Sequence, residues 1–211
     1  MTVDICPTVT AETVEEYDRQ LAIVSAFANR IHLDASDGTM TSRVLLNPAD
    51  FHWPDHVRAD IHLMSLDPEP IINRMSALST NLIIFHAEAR IDSERLIDLI
   101  HQTDAKAGIA LLPETSVKTI SDYVQKLDHV LIFSGNLGYQ GGSAADLSLL
   151  NKANLLLAIR PELEIGWDGG VNNDNIRAIK SAGIRVINAG GFIQTASDPA
   201  NAYATLKTVV E

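Results

Sequence analysis

The stretch Arg30-Ile31-His32-Leu33-Asp34-Ala35-Ser36-Asp37-Gly38 decides how the rest of the chain is read. It opens on apolar residues and closes on Asp-Gly, the pattern of a short buried strand running into a turn. Side chains alternate faces along a strand, so His32 and Asp34 point the same way. An imidazole and a carboxylate side by side at a strand's C-terminal end can begin a metal site. Two later segments can complete it, Asp60-Ile61-His62-Leu63-Met64 and Glu164-Ile165-Gly166-Trp167-Asp168-Gly169-Gly170-Val171.

Outward from this stretch, short apolar runs alternate with segments of helical spacing. Strands are expected at 3–6 (stopping at Pro7), to about 35, and at 60–64, 81–85, 105–111, 128–133, 163–167 and 184–188. Val14, Tyr17, Leu21, Val24 and Phe27 have helical spacing after a cap at Thr8 or Thr10. Further helices are expected after Asp67-Pro68, from Ser93, from Thr115 or Ser116 through Tyr123, over 144–159, from Asn172 or Asn173 to Ile179, and from Ser197-Asp198-Pro199 to Val209. Residues 38–58 are the exception, with Asn47-Pro48 and Trp53-Pro54 breaking regular structure. Eight units in 211 residues give about 26 residues each, near the lower limit for a (β/α)8 TIM barrel. A doubly wound open sheet is the competing topology. Polar residues and glycines at the C-terminal ends of nearly every strand favour the barrel, as a single α/β domain over residues 1–211.

Hydrophobic residues make up 46% of the chain and charged residues 20%, enough apolar material for a full core. The formal charge of −11 argues against non-specific binding to nucleic acid or an acidic membrane. It leaves room for an anionic small molecule held by backbone amides and a metal. No apolar stretch approaches the roughly 20 residues that span a bilayer. The start of the chain lacks a basic segment followed by an apolar run, so no signal peptide is expected. One cysteine, Cys6, excludes an internal disulfide and fits a reducing cytoplasm. A homo-oligomer stays open.

The candidate metal set is His32, Asp34, His62 and Asp168, each at the C-terminal end of an expected strand. Two imidazoles and two carboxylates suit one divalent ion, zinc first, with iron(II), manganese(II) or cobalt(II) as alternatives. Any one of these histidines alone would read better as a hydrogen-bonded strand-end residue; four matching positions reverse that. His86 ends another strand and takes a supporting role. Asp37, before Gly38, reads as a turn residue, and His52, His56, His101 and His129 as surface residues. Barrels bind phosphate with the loops after strands seven and eight, where Gly169-Gly170 and Gly190-Gly191 fall. Gly138, Gly141 and Gly142 add a third glycine-rich loop after strand six. No Gly-x-x-x-x-Gly-Lys loop is present, so nucleotide hydrolysis has no support.

The chain resembles the ribulose-phosphate 3-epimerase family of ribulose-phosphate-binding barrels over nearly its whole length. The resemblance rests on Ile5-Cys6-Pro7-Thr8, His32-Leu33-Asp34 with Asp37-Gly38, Asp60-Ile61-His62-Leu63-Met64, Phe85-His86-Ala87-Glu88-Ala89, Lys106-Ala107-Gly108, Asp168-Gly169-Gly170-Val171-Asn172 and Ala189-Gly190-Gly191. It implies that His32, Asp34, His62 and Asp168 hold the metal and that Asp34 and Asp168 are the acid/base pair. It also implies a sugar phosphate bound by Thr8, His62 and the glycines, with Met64 in support. Inverting C3 of a 2-ketose needs one proton-transfer group on each face of a planar enediolate. The implied reaction converts D-ribulose 5-phosphate to D-xylulose 5-phosphate.

This chain departs from the family at several points. Thr8 replaces a serine, Ser36 and Phe133 replace methionines, the loop 136–142 is altered, and Gly190-Gly191 replaces Gly-Ser. Three alternatives follow: another ketose phosphate such as a hexulose 6-phosphate, a related decarboxylase or synthase, and a non-catalytic sugar-phosphate-binding barrel. The decarboxylases and synthases use Asp-x-Lys-x-x-Asp, and Asp34-Ala35-Ser36-Asp37 has no lysine. A pure binder needs no opposed acid and base.

Overall fold

A computed structural model describes residues 2–211. Eight parallel strands close into a barrel in sequence order: β1 (Asp4–Val9), β2 (Arg30–Ser36), β3 (Arg58–Met64), β4 (Leu82–His86), β5 (Lys106–Leu111), β6 (His129–Phe133), β7 (Glu164–Asp168) and β8 (Val186–Ala189). The helices are α1 (Val14–Ser25), α2 (Glu69–Arg74), α3 (Ser93–His101), α4 (Leu150–Ile159), α5 (Ile176–Ser181), α6 (Gly191–Gln194) and α7 (Pro199–Val210). The expected barrel is the observed fold. The chain returns to the same end after each strand, so every strand's C-terminus opens on one mouth.

Several expectations need correction. β1 does not stop at Pro7: it pairs with β8 from Asp4 to Pro7 and with β2 at Thr8 and Val9. Proline removes one ladder donor but not the extended backbone, so the strand carries Thr8 into the barrel mouth. The cap of α1 is Thr13, whose hydroxyl accepts from the Glu16 N–H, and not Thr8 or Thr10. Asp92, not Ser93, caps α3. The expected helix after β5 is two short 3-10 turns, Val117–Ile120 and Val124–Lys126. The helix expected from 144 begins at Leu150, after a 3-10 turn capped by Asp146. His129, expected at the surface, lies on β6 and is buried. Among the described residues no helix is long and apolar enough to cross a membrane.

Alternation along the strands sorts the two sides of the sheet. Outward residues such as Ile31, Leu33, Ile61, Ile83 and Phe85 join the main core beneath the helices. Leu82, Ile84, Ala110 and Leu131 form a smaller apolar cluster of their own. At the N-terminal ends of the strands the buried Arg30 guanidinium binds Asp60 (2.7 Å), Asp4 (3.0 Å) and Glu164 (2.9 Å). Glu164 also meets His129 Nδ1 at 3.0 Å. The opposite end is free for chemistry.

Candidate active site

β2 presents His32 and Asp34 on one face, two residues apart, as period-two alternation requires. Register places Asp34 of β2 beside His62 of β3. Asp168 closes β7 beside Phe133 and Asn188. One ligand atom from each of His32, Asp34, His62 and Asp168 falls in a group whose members all lie within 4.8 Å of one another. The barrel therefore brings the four expected residues together. His32 Nε2 is 3.4 Å from Asp34 Oδ1 and 3.4 Å from Asp168 Oδ2. His62 Nδ1 is 3.1 Å from Asp34 Oδ1. His32 Nε2 is buried and has no hydrogen-bond partner among the described residues. An orphaned imidazole nitrogen facing two carboxylates is what a divalent cation would complete.

The electrostatics favour positive charge at this point. Burial alone would lower the His32 pKa, but the facing carboxylates of Asp168 and Asp34 raise it to about 10. Burial would raise the Asp34 pKa, yet the imidazoles of His32 and His62 hold it well below the usual carboxylate range. The group has the donor atoms to hold a proton or a metal ion between its carboxylates.

Around this centre lie contacts that strand-end patterns do not reveal. The Thr10 hydroxyl donates to Asp34 Oδ2 at 2.6 Å, so Thr10 orients the carboxylate. The Asn188 amide nitrogen lies 2.9 Å from His32 Nδ1 and fixes the ring's tilt. Asn188 carried the same signal as the other site residues, a polar side chain at a strand's C-terminal end. His86 meets His62 ring to ring, Nε2 to Nε2 at 2.8 Å, which gives its supporting role a definite partner. Glu88, two residues on, reaches His86 Nδ1 at 3.3 Å. Asp37 is held by the Ser65 and Thr39 hydroxyls, in keeping with a turn role.

Above the buried histidines is a cavity of about 310 Å³ lined by Thr8, Asp34, Met64, Phe133 and Asp168 and by the three glycine-rich loops. Gly138, Gly141, Gly142, Gly169, Gly170, Gly190 and Gly191 all border it. Thr8 Oγ1, buried and unpartnered, belongs to the same lining. Gly170 has φ +67° and its missing Cβ would strike Ala145, so no other residue fits there. The loop after β6 is pinned over the mouth: Gly138 N–H donates to Met64 Sδ at 3.2 Å, and Gln140 Nε2 donates to the Thr8 carbonyl at 2.8 Å. Arg43 stacks over the Tyr139 ring at 4.8 Å.

Comparison with known proteins agrees with this geometry. Ribulose-phosphate 3-epimerase of Schizosaccharomyces pombe is 29% identical over 186 residues, covering 85% of this chain and 81% of that protein. Ribulose-phosphate 3-epimerase 2 of Cupriavidus necator is 33% identical over 193 residues, covering 86% and 80%. Among solved structures, 3-hexulose-6-phosphate synthase from Salmonella typhimurium matches with a TM-score of 0.72 at 12% identity, over 99% of this chain and 98% of that one. At that identity the likeness is one of fold. Residues 4–194 match the ribulose-phosphate 3 epimerase family, and the chain belongs to that family of isomerases.

Proposed function

We propose that this protein inverts C3 of a ketose phosphate, converting D-ribulose 5-phosphate to D-xylulose 5-phosphate. The observation that carries the reading is the unpartnered His32 Nε2, 3.4 Å from both Asp34 and Asp168. The donor set of two imidazoles and two carboxylates fits a zinc-like divalent ion, held by His32, Asp34, His62 and Asp168. When bound, such an ion polarises a ketone oxygen and offsets developing negative charge.

The chain's own residues supply the proton transfers. Asp34 and Asp168 come from β2 and β7 and reach the cavity from different sides of the mouth. One takes the C3 proton; the other returns a proton to the opposite face of the planar enediolate, and the roles exchange in reverse. Thr10 holds Asp34 by one oxygen and leaves the other toward the imidazoles. The sugar phosphate lies under the loop after β6, with Thr8 and His62 near the sugar and Met64 and Phe133 as apolar neighbours. Backbone N–H groups at Gly170, Gly190 and Gly191 hold the phosphate, with Gly141 and Gly142 over it.

The test is turnover of D-ribulose 5-phosphate by purified protein loaded in turn with zinc, iron(II), manganese and cobalt, beside a hexulose 6-phosphate. The reading expects turnover of the pentulose phosphate that chelation removes. Turnover of the hexulose alone contradicts the substrate. Equal turnover by protein shown to be metal-free contradicts the metal.

A further inference from the structure

His62 offers two ring nitrogens, and only a deprotonated one can ligate. Its Nδ1 faces Asp34 Oδ1 at 3.1 Å, and its Nε2 faces His86 Nε2 at 2.8 Å. In a nitrogen-to-nitrogen hydrogen bond one ring must donate and the other accept. The pair alone does not decide which. Glu88 does. Its Oε1 accepts from the Leu112 N–H at 3.3 Å and from the Thr115 hydroxyl, so both of those groups point their hydrogens at the carboxylate. Its Oε2 lies 3.3 Å from His86 Nδ1. A carboxylate in this setting only accepts, so His86 Nδ1 carries a hydrogen. His86 is fully buried, and a ring carrying its one hydrogen on Nδ1 holds a lone pair on Nε2. It accepts from His62 Nε2–H, which leaves Nδ1 of His62 bare toward Asp34.

We propose that Glu88 is a positioning residue, dictating through His86 that His62 presents Nδ1 to a divalent cation. The proposal rests on the metal reading of the site. Glu88 itself belongs to neither the metal set nor the cavity lining, yet it sets the direction of a three-member chain ending at a ligand. Reversing that direction would place a proton on His62 Nδ1, where a ligand lone pair is needed. Glu88→Gln should weaken the chain, because an amide cannot accept from Leu112, Thr115 and His86 at once without presenting an N–H to one of these donors. In His86→Gln the amide oxygen can accept from His62 Nε2–H without help from position 88.

The experiment measures zinc affinity by competition with a chromophoric chelator, for wild type, Glu88→Gln, His86→Gln and the double variant. Glu88→Gln is expected to lose roughly 10- to 100-fold in affinity, the range seen when partners of metal ligands are removed. The double variant is expected to match His86→Gln, because Glu88 acts only through His86. A Glu88→Gln affinity within twofold of wild type overturns the proposal, as does a full additional loss in the double variant. If Glu88→Gln fails to fold by circular dichroism, ring-nitrogen NMR of zinc-loaded wild type decides instead. A hydrogen on His62 Nε2 supports the proposal and one on Nδ1 overturns it. Wild-type protein that binds no zinc, manganese, iron or cobalt overturns the metal reading itself, a result distinct from both.

Discussion

A buried imidazole nitrogen without a partner is costly unless something completes it, by about 1–3 kcal/mol for an unsatisfied polar group. His32 Nε2 is such an atom, and the two carboxylates beside it say what completes it. Replacing His32 with Ala should lower affinity for a divalent ion by at least two orders of magnitude while the barrel stays folded. Elemental analysis of protein purified without chelator, with circular dichroism beside it, checks this. The four residues of this group are legible in the sequence because strand periodicity is two and each sits at a strand's C-terminal end. Thr10 reads from sequence as a helix cap, since its hydroxyl suits either use until β1 is known to run past Pro7. Glu88 is invisible there as part of the site. Its effect passes through His86, and no spacing rule connects a loop carboxylate to a neighbouring strand's imidazole.

At the scale of elements, three loops cooperate around the cavity. Gly190 has φ −86°, so no left-handed backbone demands glycine there, but a Cβ would meet Gln140 Cγ at 3.2 Å and Thr8 Cβ at 3.3 Å. Gly190→Val should therefore crowd the loop after β6 and the phosphate position. The expected result is a rise in KM of about tenfold or more for the phosphorylated sugar, with a smaller change in kcat, read from steady-state kinetics. An unchanged KM places the phosphate elsewhere. The strands and most helices can be read from periodicity, whereas the crossovers after β5 and β6 cannot. There the chain uses 3-10 turns capped by Ser116 and Asp146, and their apolar spacing is too short to separate from a helix. The four-residue α6 is hidden for the same reason.

For the whole molecule, the barrel divides its labour between two ends. The end away from the mouth is closed by Arg30 with Asp60, Asp4 and Glu164. Arg30→Met leaves the buried Asp60 carboxylate uncompensated and should cost about 3–5 kcal/mol of stability, measured by urea unfolding of metal-free protein. Burial would raise the Glu164 pKa, but His129 and Arg30 hold it well below the ordinary carboxylate range. A depressed folded pKa gives stability that is present above the ordinary range and lost as pH falls through it. Unfolding across a pH series should then show Glu164→Gln less stable near neutrality and less sensitive to acid than wild type. The other end carries the proposed reaction, and its central claim is that Asp34 and Asp168 are two bases on opposite faces of one substrate. The direct measurement is deuterium exchange at C3 in heavy water by Asp168→Asn, with bound metal verified. The account predicts that Asp34 alone exchanges deuterium into one epimer and forms none of the other. Interconversion of both epimers at near wild-type rate would contradict it and leave Asp168 a ligand only.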